Sequence, residues 1–220
     1  MDLRALLASQ LFVRAPSERL FAVTQPDSGR RAVPAFREEA DGRAFWSRVA
    51  PGQPVELVAV DLPVLAAEAK RVGGLLVDPD GEALLLDRAE LTMLAAGEVP
   101  GEFAAWLRGW GRLNHQPGEV LARLRRTHLH VITGRGSGDE APRIYLLEKS
   151  EDGTLAVPCF SSAETLAQFA QVRRLFEGQS GYAVALVDGP YCLRAAAGLG
   201  AYVVVDPESP WEIQLEPTLL

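Results

Sequence analysis

The chain has 220 residues, 48% of them hydrophobic and 23% charged, and a net charge of −7. These values are ordinary for a globular protein, so they exclude a disordered or collagen-like chain. The acidic balance also argues against nucleic acid as a partner, because such proteins carry a basic surface.

The beginning of the chain does not have the pattern of a signal peptide, because Asp2 and Arg4 interrupt the apolar stretch that one requires. No run approaches the roughly 18 apolar residues of a membrane helix. Cys159 and Cys192 fit neither a disulfide framework nor a zinc motif. We therefore expect a cytoplasmic protein without a membrane partner.

The first part of the sequence predicts several short strands and two helices. A helix is expected around Phe45 and Val49, and a second one opens near Pro63, where the missing N–H of proline costs nothing. A buried strand lies between these helices. Because a strand–helix–strand crossover within one sheet is right-handed, we expect the inner strands to be parallel. The predicted strands are Leu11–Arg14, Leu20–Thr24, Arg31–Ala35, Val55–Val60, Leu75–Val77 and Ala83–Leu86.

Residues 87–127 are predicted to be helical. Asp87 and Glu90 form a capping-box pattern. An apolar stripe follows at helical spacing, and Pro117 starts a further helix. This segment predicts a rigid helical connector that packs on the sheets. The stripe consists of Phe103, Trp106, Leu107 and Trp110.

The rest of the chain repeats the first part in the same order. An Ala-Val-Pro-x-Phe motif occurs at 32–36 and at 156–160, and a strand followed by Asp-Pro occurs at 75–79 and at 203–207. The helix of this second copy shows a capping box at Ser161 and Glu164 and an apolar face. That face consists of Leu166, Phe169, Val172 and Phe176, and the predicted strands are His128–Thr133, Ile144–Glu148, Leu155–Cys159, Tyr182–Val187, Tyr202–Val205 and Trp211–Leu215.

The predicted fold class is therefore α/β (α+β), with two tandem βββαβαββ repeats that have mixed sheets and are joined by a helical segment. The predicted divisions are a first repeat at 1–96, a connector at 97–127 and a second repeat at 128–220.

The ordered motifs resemble the SseB N-terminal domain family, bacterial proteins named for enhanced serine sensitivity. The resemblance covers roughly residues 10–96 and 128–215 and rests on Val-Pro-x-Phe, the aromatic residue nine positions later, and the turn at Asp78 or Asp206, where many members have asparagine. It implies two copies of the family domain and a role connected with amino-acid metabolism. It implies no catalytic residue.

Four aspartates follow predicted strands: Asp61, Asp78, Asp188 and Asp206. Strand ends are frequent ligand sites, and paired carboxylates there could hold Mg²⁺ or Ca²⁺. The structural alternative is that Asp61 and Asp188 cap helices, while Asp78 and Asp206 form turns.

Other candidates are two histidines, two tryptophans and the cysteines. His128 and His130 share one face of a predicted strand and are half of a possible metal site, but a third ligand is missing. Trp46 and Trp211 are candidates for partner binding. We expect both cysteines to be buried and unreactive, because free cysteine usually packs as a small hydrophobic residue.

The sequence contains no recognisable catalytic set or cofactor motif. Our first hypothesis is a non-catalytic binding or regulatory module of the bacterial cytoplasm, which needs no cofactor and recognises a protein partner or a small ligand. The alternative is a metal-assisted enzyme that uses the strand-end aspartates. A third interpretation is a homo-oligomeric scaffold.

Overall fold

The computed structural model describes residues 3–15, 20–24, 29–110, 116–134, 143–148, 153–177 and 181–220. The chain divides into a first unit, Met1–Pro100, and a second unit, Gly101–Leu220. Each unit combines helices with antiparallel and parallel strand pairs, so the predicted α+β class is confirmed. Within the described ranges, every helix is too short or too polar to span a lipid bilayer.

In the first unit, β3 is the central strand. It pairs in parallel with β5 and antiparallel with β2, and β5 continues to the antiparallel β6. Strand β1 joins β3 through a bridge between Phe12 and Phe36, and its other neighbour is the antiparallel β4. The elements are α1 (Leu3–Leu7), β1 (Gln10–Arg14), β2 (Val23–Thr24), β3 (Arg31–Ala35), α2 (Glu39–Val49), β4 (Leu57–Asp61), α3 (Leu62–Val72), β5 (Leu75–Val77), β6 (Leu84–Leu86) and α4 (Arg88–Ala95).

The second unit has the same strand pairing around β10. Strand β10 is parallel to β12 and antiparallel to β9, and β12 continues to β13. A bridge between His130 and Phe160 connects β7, whose neighbours are β11 and β8. The elements are α5 (Glu102–Trp110), α6 (Pro117–Leu124), β7 (His128–Gly134), β8 (Arg143–Ile144), β9 (Leu147–Glu148), β10 (Leu155–Cys159), α7 (Ala163–Val172), β11 (Tyr182–Asp188), α8 (Gly189–Leu199), β12 (Tyr202–Val205), β13 (Ile213–Leu215) and a 3-10 turn at Pro217–Leu219.

The predicted placement of β4 and β11 as buried inner strands is wrong. Each is antiparallel to its neighbour, and each has exposed residues, such as Ala59 on β4 and Val184 on β11. The parallel partners are instead β3 with β5 and β10 with β12, so the chain passes through two helices and an outer strand between them. An apolar run therefore marks a sheet edge here and not a sheet centre.

The helix after β10 begins one residue later than its sequence pattern predicts. Ser162, and not Ser161, is the N-cap of α7 and accepts a hydrogen bond from the backbone N–H of Thr165. The helix ends at Val172, because Arg174 has a positive φ of 52°. Val172 and Phe176 are consequently exposed and do not belong to the core face.

The helical segment between the predicted repeats contributes to the second unit's core. Leu107 of α5 and Val120 and Leu124 of α6 are completely buried against residues of β7, β10 and α8. The predicted capping box of α4 is confirmed, since Asp87 accepts from the N–H of Glu90 and Glu90 accepts from the N–H of Asp87. Burial raises the pKa of the Glu90 carboxyl above its usual value.

Candidate functional site

Asp61 and Asp188 both precede a helix, but their side chains differ in their contacts. Asp188 caps α8 by accepting a hydrogen bond of 2.6 Å from the N–H of Tyr191. Asp61 occupies the equivalent position before α3, where its carboxylate accepts instead from the side-chain amide of Gln10 on β1, at 2.9 Å. Both carboxylates are thus engaged by their own unit.

Asp206 is a buried carboxylate that connects, by hydrogen bonds, the turn after β12 with the start of α7. It follows β12, has a positive φ of 48°, and is completely inaccessible to solvent. It accepts hydrogen bonds from the N–H and hydroxyl of Ser161 and, at 2.7 Å, from the hydroxyl of Thr165. These donors lie at the start of α7, so Asp206 fixes that helix start against the end of β12.

Asp78 occupies the corresponding turn of the first unit with different partners. Its φ is 47°, and its carboxylate accepts from the backbone N–H of Arg37 at 3.0 Å and from the Arg37 guanidinium. The hydrogen bond and charge of Asp78 raise the pKa of Arg37 above its ordinary value. Half of the Arg37 side chain is exposed, so this contact, unlike that of Asp206, is accessible to water.

The two candidate histidines lie on β7, where His128 is opposite Asp188 and His130 is opposite Leu186. His115, the third histidine of the sequence, lies outside the described residues. Among the residues described, no group of three or more histidines, cysteines or acids has a geometry that could hold a metal ion. A metal site at His128 and His130 stays a prediction without a third ligand.

Trp46 is an internal residue of the first unit. Its side chain is 3% exposed and packs edge-on against Phe45 and Phe21. The guanidinium of Arg14 lies 5.2 Å from the ring centre. The structure places Trp46 in an aromatic cluster under the sheet and not on an exposed surface.

Trp211 belongs to a partly exposed surface around α5. Helix α5 buries Phe103 and Leu107, and its outward ridge consists of the small residues Ala105 and Gly109. Trp106 and Arg108 stand on the two flanks of that ridge, because a helix turns by 100° per residue. We call the set Ala105, Trp106, Arg108, Gly109, Arg123 and Trp211 the α5 surface.

An arginine packs on a tryptophan at each flank of the α5 surface. On one side the guanidinium of Arg123, from α6, lies 4.3 Å from the ring centre of Trp106. On the other side the guanidinium of Arg108 lies 5.2 Å from the ring centre of Trp211, and it also pairs with Glu164 at 3.1 Å. The indole Nε1 of Trp211 is buried and, among the described residues, has no hydrogen-bond acceptor.

The sequence predicts Trp211 as a candidate but not the arginines beside it. Trp106 forms part of the apolar stripe, and the structure shows it only partly buried. The two pairs connect α5 with α6 and with the turn before β13, so their partners are distant in sequence. No local spacing could identify them.

Cys159 and Cys192 are both buried in the core of the second unit. A hydrogen bond with Cys192, together with burial, raises the pKa of the Cys159 thiol well above its ordinary value. Because the thiolate is the reactive form, we interpret these residues as packing groups.

We expect iodoacetamide at pH 8 to label neither cysteine in the folded protein and both cysteines in denaturant. Labelling of the folded chain should be slower by about a hundredfold or more, since it requires the unit to open first. Peptide mass spectrometry after a timed quench gives both rates. Native labelling as fast as in denaturant would show that the thiols are accessible.

Comparison with known proteins identifies the family. The model of the SseB protein N-terminal domain matches residues 104–220, which is more than half of the chain. The chain therefore belongs to the SseB family, and the resemblance found in the sequence is confirmed for the second unit. No curated protein matches the sequence.

Among solved structures, the chain is similar to Anabaena Tic22, described as a protein of protein transport. The identity is 14%, and the match covers 88% of this chain and 84% of that one with a TM-score of 0.24. A TM-score of this size supports no inference about fold or function.

Proposed function

We propose that this chain is a non-catalytic binding module of the bacterial cytoplasm that recognises a protein partner through the α5 surface. The observation that carries the proposal is the pair of arginine–tryptophan contacts on the two flanks of α5. Tryptophan and arginine are the residues most enriched at the energetic centres of protein interfaces. Both pairs lie within the part of the chain that the family model matches.

The shape of the α5 surface suits an extended segment or a helix of a partner. The ridge of Ala105 and Gly109 lets another backbone approach α5 closely, because a Cβ added at Gly109 would meet no described atom within 4 Å. Arg108 and Arg123 then lie on either side of the docked segment. Guanidinium groups bind carboxylates in a bidentate manner, and Arg108 already pairs with Glu164 of its own unit. We therefore propose a partner segment with an acidic side chain that binds Arg123.

We also propose that the first unit is a second copy of the family domain. The repeated motifs of the sequence support this. The strand pairing does so too, because β3 and β10 each have a parallel neighbour and each are followed by a phenylalanine that bridges to a further strand. The aspartates Asp78 and Asp206 stand at the same point of this pairing, each after a strand that is parallel to the central one. A link to amino-acid metabolism belongs to the same proposal and rests on the family name alone.

The alternative, a metal-assisted enzyme, is weaker. Its aspartates accept hydrogen bonds from their own units, and the Asp206 carboxylate is enclosed by Ser161 and Thr165. A metal would have to displace those donors before it could bind.

The test compares two tyrosine substitutions of exposed helical alanines in the second unit. Ala105→Tyr fills the ridge of α5, whereas Ala167→Tyr changes another exposed position, on α7. Tagged protein is used to capture partners from its own cell lysate, and the main partner is then titrated in purified form. We expect Ala105→Tyr to weaken binding at least tenfold, about 1.4 kcal/mol, and Ala167→Tyr to leave it unchanged.

Arg123→Gln provides a second, charge-specific measurement, with the exposed Arg194→Gln as its control. If the partner binds both Ala105→Tyr and Arg123→Gln as tightly as the wild type, the α5 surface is not the binding site. If the eluate instead contains stoichiometric metal and no protein partner, the enzyme alternative is favoured.

A further inference from the structure

Arg14 is a cation of the first unit that lies on aromatic rings. It ends β1, and its guanidinium lies 4.2 Å from the ring centre of Phe21 and 5.2 Å from that of Trp46. One of its N–H groups donates to the side-chain oxygen of Gln53 at 3.1 Å. Within the described ranges no carboxylate pairs with Arg14, whereas four other arginines of this unit each pair with one. A guanidinium carries five N–H donors, so most donors of Arg14 remain available to a ligand.

The indole N–H of Trp46 is a second donor in the same place. Trp46 is 3% exposed, and among the described residues its Nε1 atom has no hydrogen-bond acceptor. Buried indole N–H groups usually find an acceptor, because an unpaired donor has lost its contact with water and gained nothing in return. The ring that carries this N–H lies beside the Arg14 guanidinium. Two donor groups are therefore adjacent, and the described part of the chain supplies a carboxylate to neither.

The second unit shows that this strand pairing requires neither residue. The bridge from each strand to the phenylalanine of the repeated motif aligns β1 with β7, so Arg14 corresponds to Ile132. The phenylalanine nine residues after the motif aligns Trp46 with Ala170. Ile132 and Ala170 are 0% and 4% exposed, and the cluster that contains Ile132 consists of hydrophobic residues. Apolar side chains thus fill this place in one unit, and an arginine and a tryptophan fill it in the other.

We propose that Arg14 and Trp46 form a carboxylate-binding site in the first unit. A guanidinium donates two parallel N–H···O bonds to a carboxylate, which has about four acceptor sites, so the same ligand can also accept from the indole N–H. One arginine supplies a single positive charge, which matches a carboxylate better than a phosphate monoester with nearly two negative charges. The adjacent rings exclude water from part of the guanidinium, and this strengthens its pairing with an anion.

The two donors differ in how a ligand reaches them. Arg14 is half-buried and Gln53, which accepts its hydrogen bond, is exposed, so a carboxylate can approach the guanidinium from solvent. The Nε1 atom of Trp46 is covered, so a ligand reaches it only when a neighbouring side chain shifts. Arg14 is the neighbour that can shift, because one hydrogen bond and its ring contacts hold a long side chain. Binding is therefore expected to change the environment of the Trp46 indole.

The first test follows the indole N–H resonances of the isotope-labelled full chain by NMR during titration with sodium acetate, with sodium chloride as the reference salt. The chain has four tryptophans, and Trp46→Phe assigns the resonance of Trp46. We expect acetate to move this resonance along a saturable curve and chloride to leave it in place. A Trp46 resonance that acetate does not move, or that chloride moves equally, overturns the proposal.

The contribution of Arg14 is measured in the same titration. Arg14→Met keeps a long apolar side chain over the rings and should weaken acetate binding by about tenfold or more. Arg71→Met is the control, because it removes an exposed arginine that pairs with Glu68, and it should bind acetate as the wild type does. Circular dichroism shows whether each variant is folded, and Arg14→Lys, which keeps the charge without the guanidinium fork, replaces a methionine variant that does not fold. Unchanged binding in the folded Arg14 variant contradicts the site.

The carboxylate can belong to a free small molecule or to a protein segment, and a second titration separates these sources. Succinate is compared with an end-blocked peptide that carries one glutamate, and the same peptide with glutamine is the control. Tighter binding of succinate assigns the site to small carboxylic acids, whereas tighter binding of the glutamate peptide assigns it to a protein segment. Equal binding of the two peptides, without a response to succinate, overturns the proposal. Ala105→Tyr should leave these affinities unchanged, so the result is independent of partner binding by the α5 surface.

Discussion

Replacing Gly189 with alanine is expected to destabilise the second unit by about 3 kcal/mol, at the upper end of the usual cost of overpacking. Gly189 is the first residue of α8, and its N–H donates to the carbonyl of Thr127 at 2.8 Å. A Cβ at this position would lie 1.6 Å from the carbonyl oxygen of Leu124, the last residue of α6. That neighbour is backbone, so it cannot rotate away, and the two helix ends must separate. Urea denaturation followed by tryptophan fluorescence measures the loss.

Gly198→Ala is the matched control in the same helix. A Cβ at Gly198 meets no described atom within 4 Å, so the methyl group is accommodated there. Alanine restricts the unfolded chain more than glycine does, and we expect this variant to be unchanged or more stable by up to about 1 kcal/mol. If Gly189→Ala unfolds at the same urea concentration as the wild type, α6 and α8 do not approach each other as closely as the structure shows.

Much of the fold could be predicted because its signals are local. The capping box of Asp87 and Glu90 lies within one helical turn, and the Asp188 cap precedes a proline at a helix start. The alternating and apolar runs of the sequence likewise predicted the positions of most strands, since the burial pattern of a strand depends on adjacent residues. These features depend on a few consecutive residues and could be read without any tertiary contact.

The sheet pairing could not be predicted in the same way. An apolar run such as residues 182–187 is compatible with a buried parallel strand and also with a strand at a sheet edge. The hydrophobic pattern of one strand does not determine which other strand pairs with it. The pairing of β11 with β7 joins residues that lie far apart in the sequence, from Tyr182 opposite Gly134 to Asp188 opposite His128. The rule for strand–helix–strand crossovers predicts that β11 is parallel to the strand before it, β10. The rule applies to consecutive strands of one parallel sheet, whereas here β10 is parallel to β12 and β11 is antiparallel to β7.

The start of α7 shows how a distant residue decides between two local patterns. Ser161 and Ser162 are both suitable N-cap residues, and Glu164 fits a capping box with Ser161. Ser161 is instead held by Asp206, 45 residues later in the chain, and Ser162 becomes the cap. The α5 surface is similar, because Arg123 and Trp106 meet through packing of α6 on α5. Sequence reasoning identified the aspartates and Trp211 but not their partners.

Replacing Asp206 with asparagine is expected to destabilise the second unit by about 2 kcal/mol. Asparagine tolerates the positive φ of 48°, so the backbone conformation is kept while one acceptor oxygen is lost. The amide oxygen can keep the bonds from the Ser161 N–H and the Thr165 hydroxyl, while the amide NH₂ can meet the Ser161 hydroxyl only as a donor. Charge-assisted hydrogen bonds are thereby replaced by neutral ones, which are roughly half as strong. Asp206→Ala, which removes every acceptor and strains the turn, should cost more. Urea denaturation gives both values.

Asp78→Asn is the matched substitution in the first unit, at a φ of 47°. We expect a smaller loss of stability there, because the Arg37 side chain is half exposed and water can solvate the guanidinium once its partner is neutral. The difference between the two variants therefore measures how much the enclosure of the Asp206 carboxylate contributes. Equal losses would mean that Asp206 is hydrated in solution. An unchanged Asp206→Asn protein would mean that the start of α7 does not depend on the charge of this carboxylate.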